Sequence, residues 1–167
     1  MPHGPMADPG RSVSFADRAG YQAAVGELLG HVVERLDIFD IDLTDTGLSG
    51  SVRVAQLSDA LSRDPAMRVR IALHDASALQ IRMPRLWNLC AAQSHRMEIR
   101  ETPRTLGHLT ETFMLGAGGN ALIRTHCKHW RGKLLLCDPA GEAGFRQRFS
   151  GLWEACSCCI STTKFGL

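Results

Sequence analysis

Three groups of residues in this 167-residue chain could do chemistry. The stretch "TFMLGAGGNALIRTH" (112–126) sets Gly116, Gly118 and Ala121 at the G-x-G-x-x-G/A spacing. Backbone amides at that spacing wrap a pyrophosphate when a strand precedes and a helix follows. "RIALHD" ends in His74-Asp75, and "RLDIFDIDL" holds Asp40 and Asp42 near its end. Ligands of α/β sheets gather at strand C-termini, so these four are expected to open onto one edge. His126, Cys127 and His129 offer the imidazole and thiolate groups that zinc prefers.

Each group also has a plainer reading. Gly118-Gly119-Asn120 is strong hairpin chemistry, because all three tolerate positive φ. A dinucleotide fingerprint opens its sheet, whereas here one strand and one helix remain to follow. "ALIRTH" is β-prone through Ile123 and Thr125. The expectation is therefore a turn between two antiparallel strands. The alternative is a helix from Asn120, with Asp138 as the ribose-binding acid. Asp75 suits the cap of a helix at "DASAL", with His74 packed nearby. The His126 cluster lacks a C-x2-C pair, and adjacent strand residues point to opposite faces, so no metal is expected.

Hydrophobic periodicity supplies the elements that must position these groups. Ser14, with Asp17 three residues on, reads as the cap of a helix carrying Tyr21, Ala24, Val25, Leu28, Leu29 and Val32. "RLDIFDIDL" reads as a strand, "VRVAQLSDALSRDP" as a helix ended by Pro65, and "MRVRIALHD" as the clearest strand. A helix over 76–95 is kinked or restarted at Pro84. "MEIRETP", "TETFMLGAGG" and "GKLLLCD" read as strands, and "NALIRTHC" stays open between strand and helix. Phe145, Phe149, Leu152 and Trp153 stripe a closing helix begun by Pro139. Alternation in the first half implies parallel pairing. The fold class is α/β: a mixed, mainly parallel sheet covered by helices on both faces. Residues 1–13 are expected to be disordered, 14–157 to form one domain, and 158–167 to be a tail.

Composition excludes little. The chain is 44% hydrophobic and 22% charged with a formal net charge of +2, ordinary for a globular protein and too weak an excess to argue for nucleic acid alone. "MPHGPMADPGRS" has no apolar core, and no run approaches the roughly 20 residues of a spanning helix. Six cysteines without a secretory signal read as reduced thiols, so the expected compartment is the cytoplasm. Cys156, Cys158 and Cys159 read as a helix end running into a tail, with one or two thiols packed inside.

From "RLDIFDIDL" to "GLWE", roughly 120 residues, the chain resembles the phospholipase D-like fold of a bacterial group of unassigned function. The resemblance is carried by the strand ending in Asp40 and Asp42, "VRIALHD", "RMPRLWNL", "MEIRETP", "HLTETFMLGAGG", a second hairpin strand, "DP", and the closing F-x3-F-x3-W helix. It implies a three-layer α/β/α sandwich. It also implies a His-x-Lys-x4-Asp signature at the start of a hairpin strand. Two such histidines face each other across a pseudo-dyad or a dimer axis; one attacks phosphorus and the other protonates the leaving group.

His108 aligns with the signature histidine, but Thr110 stands at the lysine position, and Leu115 or Ala117 at the aspartate position. A missing preorganised charge on the phosphoryl group costs several kcal/mol in the transition state. A missing acid beside the imidazolium adds to that. The resemblance thus implies a non-catalytic binding or scaffold module for a phosphate-bearing ligand or nucleic acid, with Arg104 and Arg124 as phosphate-binding residues. Arg82, Arg85, Arg96 and Arg100 could complete a basic face with them. One alternative is a homodimeric phosphodiesterase or nuclease using His108. A second is a dinucleotide-binding oxidoreductase using the 116–121 glycines. The leading reading needs no cofactor.

Overall fold

The computed structural model describes residues 10–156 and 158–161, with the side chains of Cys158 and Cys159 outside the description. Eight strands among them form one sheet, in the order β1-β7-β6-β5-β2-β3-β4-β8. In chain order these are β1 Arg11–Phe15, β2 Arg35–Asp40, β3 Arg68–Leu73, β4 Met97–Glu101, β5 Thr112–Gly116, β6 Asn120–Arg124, β7 Gly132–Leu136 and β8 Cys158–Ile160. The helices are α1 Arg18–His31, α2 Ser51–Arg63, α3 Leu79–Arg82, α4 Pro84–Ala92 and α5 Pro139–Ala155. The α/β class holds and the sheet is mixed.

The sheet is not mainly parallel. β2–β3 and β3–β4 pair parallel, joined by helices as the alternating pattern requires. The other five pairings are antiparallel. Two of them come from segments left outside the expected domain. Residues 11–13 are no disordered lead-in: with Ser14 and Phe15 they form β1, which pairs with β7, and Phe15 is buried against Tyr21 at 5.6 Å between ring centroids. Ser14 therefore belongs to a strand, and Asp17 caps α1 by accepting from the Gly20 amide at 2.7 Å. At the other edge Cys158–Ile160 pairs with β4 instead of trailing off as a tail. Residues 1–9, 157 and 162–167 lie outside the described residues.

Period-2 alternation divides the interior in two. Met114 faces a core shared with α1, α2 and α4: Leu28, Leu57, Ile71 and Leu86. Its neighbours Phe113 and Leu115 face a second core with Phe39, Ile123, Phe149, Leu152 and Trp153. Helices thus lie on both faces, and α5 lays the expected aromatic stripe on the second. Pro84 restarts the helix as its first residue, which separates α3 from α4.

The glycine stretch is a hairpin. Gly116 pairs with Asn120, and the three-residue loop between them holds Gly118 and Gly119 at φ +85° and +83°. β6 stands where a dinucleotide fold needs a helix, so the oxidoreductase alternative is overturned. Asp138 is not a ribose ligand: its carboxylate caps α5 by accepting from the Gly141 amide at 3.0 Å. The Asp138 amide donates to Gly119 O at 3.0 Å, which seats the turn on the start of α5. Asn120 locks the other side, donating to Ala117 O and accepting from the Cys137 amide.

This seating makes the two glycines unequal. A Cβ on Gly119 would lie 2.4 Å from Pro139 N, whereas at Gly118 it would meet open space. Gly118→Ala should cost about 1 kcal/mol for left-handed backbone alone. Gly119→Ala should cost about 3 kcal/mol or more, because strain and overlap add. Urea unfolding of both variants checks this, and equal losses would contradict the packing.

Candidate functional site

The C-terminal ends of β2 and β3 bring most of the chemistry-bearing residues to one edge. Asp40 closes β2 and is 5% exposed. The chain then reverses through Leu43, which takes left-handed φ (+68°) and donates its amide to Asp40 Oδ2 at 2.7 Å. Asp42 accepts from the Thr44 amide at 3.0 Å, and Thr46 Oγ1 donates to Leu43 O at 2.7 Å. These bonds hold three aspartates on one short loop. Burial pushes the Asp40 carboxyl up to about 6, against the opposing pull of the Leu43 amide, and the charges of Asp42 and Asp45 add to it.

Arg124, at the end of β6, faces this loop from the interior. It is 3% exposed. Nη1 pairs with Asp45 at 2.8 Å, Nε donates to His129 O at 2.6 Å, and Nη2 donates to Cys127 O at 2.5 Å. The guanidinium lies 4.2 Å from the Trp130 ring and 5.2 Å from that of Tyr21. Burial, reinforced by the charge of Asp40, drives the Tyr21 phenol well above its ordinary value. Arg124 therefore ties the 41–46 loop to the 125–131 loop. All three of its nitrogens are engaged, which sets it apart from an open phosphate ligand.

A cleft of about 320 Å³ opens here, lined by Asp40, Asp42, Asp45, Arg82, Arg124 and Cys127 among others. A second of about 220 Å³ shares Asp42 and Arg82 with it and adds Asp75. The joint lining carries four carboxylates against two guanidinium groups, so the edge is acidic.

Asp75 does not cap the next helix. It closes its own turn, accepting from Ser77 N at 2.9 Å and Ser77 Oγ at 2.6 Å, bonds that hold its carboxyl below the usual range. His74 does more than pack. Its Nε2 lies 2.9 Å from Leu109 O and its Nδ1 2.6 Å from Thr102 Oγ1, with Phe39 against the ring. A carbonyl can only accept, so Nε2 donates; in the neutral ring Nδ1 accepts from the threonine hydroxyl. His74 thereby fastens the ends of β3 and β4 to the loop that carries His108.

His108 is exposed, just after a 3-10 turn at Arg104–Leu106. Its Nδ1 donates to Thr105 O at 3.0 Å, which leaves Nε2 as the acceptor of the neutral ring. Arg104 shares this exposed turn. Thr110 is half-buried, and Leu115 and Ala117 are buried. Glu111, next along, pairs with Arg148 of α5.

The basic residues do not make one face. Arg100 lies over Trp153 at 4.2 Å on the second face of the sheet, and Arg96 bonds at the far ends of the strands. Among the described residues no three His, Cys, Asp or Glu side chains come together to hold a metal. Cys156 is a packed thiol, donating to Leu152 O at 3.2 Å and pushed up by burial. The sequence reading missed Tyr21, Asp45 and Trp130 as partners of Arg124. A single buried arginine among aromatics leaves no local pattern to find.

With this geometry in hand, the chain belongs to the family described as a domain of unknown function, DUF7931, whose model matches residues 17–165. No curated protein matches the sequence. Among solved structures the fold is similar to TrmBL2, an archaeal chromatin protein whose structure shows a novel mode of DNA binding. The TM-score is 0.64 at 13% identity over 87% of this chain. The chain spans about half of that one, 53%. It is also similar to NucT from Helicobacter pylori, with a TM-score of 0.59 at 10% identity over 89% of this chain and 98% of that one. Likeness at these identities concerns the fold. Among the described residues no helix is long and apolar enough to cross a membrane.

The raised Asp40 carboxyl makes stability depend on pH. Its folded value is about 6 against an ordinary 3.8, so the folded state holds the proton longer. The neutral form's contribution is complete below the ordinary value and is lost as pH rises through 6, about 3 kcal/mol in all. Asp40→Asn keeps an acceptor for the Leu43 amide and removes the titration. Its stability should match wild type near pH 4 and exceed it by about 3 kcal/mol at pH 7. Urea melts at both values check this; a constant difference would contradict it.

Proposed function

We propose that this chain is a non-catalytic phospholipase D-like module, a three-layer α/β/α sandwich that binds nucleic acid through its phosphates. The observation that carries the reading is the surroundings of His108. The expected lysine is Thr110, and the expected aspartate is Leu115, 0% exposed inside the second core. The nearest carboxylate in sequence, Glu111, is committed to Arg148. A transferring phosphoryl group would meet no preorganised charge from those positions. Support for the ligand class comes from a fold neighbour: TrmBL2 is an archaeal chromatin protein described by its mode of DNA binding.

One observation favours a second reading, a homodimeric phosphodiesterase. The bond from His108 Nδ1 to Thr105 O fixes the tautomer whose Nε2 lone pair a nucleophile requires. Two copies meeting at this exposed turn would supply both histidines, with Arg104 beside them.

Two assays separate the readings. Turnover of bis(p-nitrophenyl) phosphate should equal that of His108→Ala. A labelled oligonucleotide should bind without cleavage, its log Kd rising linearly with log salt. Hydrolysis abolished by His108→Ala would install the second reading and remove the first.

A further inference from the structure

The N-terminal ends of β2, β3 and β4, opposite the His108 turn, form a groove of about 650 Å³. Its lining carries Arg35, Arg68, Arg70 and Arg96 against one carboxylate, Glu98. Register produces this concentration. Arg35 pairs with Arg68 across the parallel β2–β3 ladder, and period 2 sends Arg68 and Arg70 to the same face. We propose that this groove, and not the His108 edge, is where the chain takes the phosphodiester backbone of a nucleic acid strand. This location rests on the binding function proposed above and extends it.

Electrostatics separates the two ends. The clefts at the C-terminal strand ends carry four carboxylates against two arginines, and would repel a polyanion. In the groove the arginines outnumber their acids even when buried partners are counted. Asp37 serves both Arg70, at 2.9 Å, and Arg35, at 3.8 Å; Glu142 serves both Arg35 and Arg146. Arg96 donates to Leu61 O, Asp64 O and Gln93 Oε1, which are neutral acceptors that leave its charge uncancelled. Arg68 is exposed and reaches the His95 carbonyl at 3.4 Å.

Shape fits the same ligand. Arg70 spends Nε and Nη2 on Asp37 and so shapes the groove, while the exposed Arg68, whose Nη1 reaches the His95 carbonyl at 3.4 Å, is the guanidinium placed to meet a phosphate. Guanidinium groups hold phosphate oxygens in a bidentate fork.

Fluorescence anisotropy with a labelled single-stranded oligonucleotide tests the location on the full chain. Arg68→Ala should lower the salt slope by about one, and Arg68→Glu should weaken binding about tenfold at low salt. Unchanged urea melts of both variants should show that the fold is intact. Wild-type affinity in Arg68→Glu with loss in Arg104→Glu would overturn the location and leave the binding function standing. Equal affinity for polyglutamate of matched charge would overturn the phosphodiester assignment. No oligonucleotide binding by the wild-type chain would overturn both the location and the function it rests on.

Discussion

Among the described residues one helix covers the second face of an eight-stranded sheet, and that shortage of cover shapes the molecule. α5 lies over β5 and β6 and buries Phe113, Leu115 and Ile123. The parallel strands β2, β3 and β4 extend beyond it, although parallel strands ordinarily have both faces packed. Phe39 and Ala72 of these strands join the second core, and their other side chains on this face are Arg35, Asp37, Arg68, Arg70, Glu98 and Arg100. Each charge needs a partner, and the partners lie on neighbouring strands or on α5: Asp37 with Arg70, Glu98 with Arg100, Glu142 with Arg35. Trp153 closes the margin by stacking under Arg100. What the helix leaves open is therefore polar, rigid and rich in guanidinium.

The same sheet holds a different chemistry at its other end. Three aspartates on one loop, a buried arginine between Tyr21 and Trp130, and a histidine bridging two loops form a self-satisfied network. Such networks fix loop geometry when every member has a partner. Here the network holds the turn that carries His108 and the exposed Arg104, with Thr110 at the position expected for a lysine. The contact proposed for nucleic acid lies instead at the basic strand ends.

Much of the fold was legible in sequence. β3 and the aromatic stripe of α5 follow from periodicity, and the reversal at Gly118-Gly119 follows from backbone freedom. Two readings failed for the same reason. β1 and β8 are short edge strands, held by pairing to β7 and β4 rather than by any apolar pattern of their own, so a local reading takes them for a lead-in and a tail. Ser14, with Asp17 three residues on, reads as a cap because sequence cannot reveal that Ser14 is committed to a ladder. The site was less legible. His74-Asp75 was located, but its bonds to Thr102 and Leu109 span 28 and 35 residues. Arg35, Arg68 and Arg70 look like scattered surface charge until register sets them side by side.

Hydrogen–deuterium exchange of the full chain, with and without a bound single-stranded oligonucleotide, tests the account most directly. Protection should fall on the amides of 68–70 and 94–98, with 104–110 unchanged. Protection confined to 104–110 would return the ligand to the histidine turn and contradict the assignment of the basic strand ends.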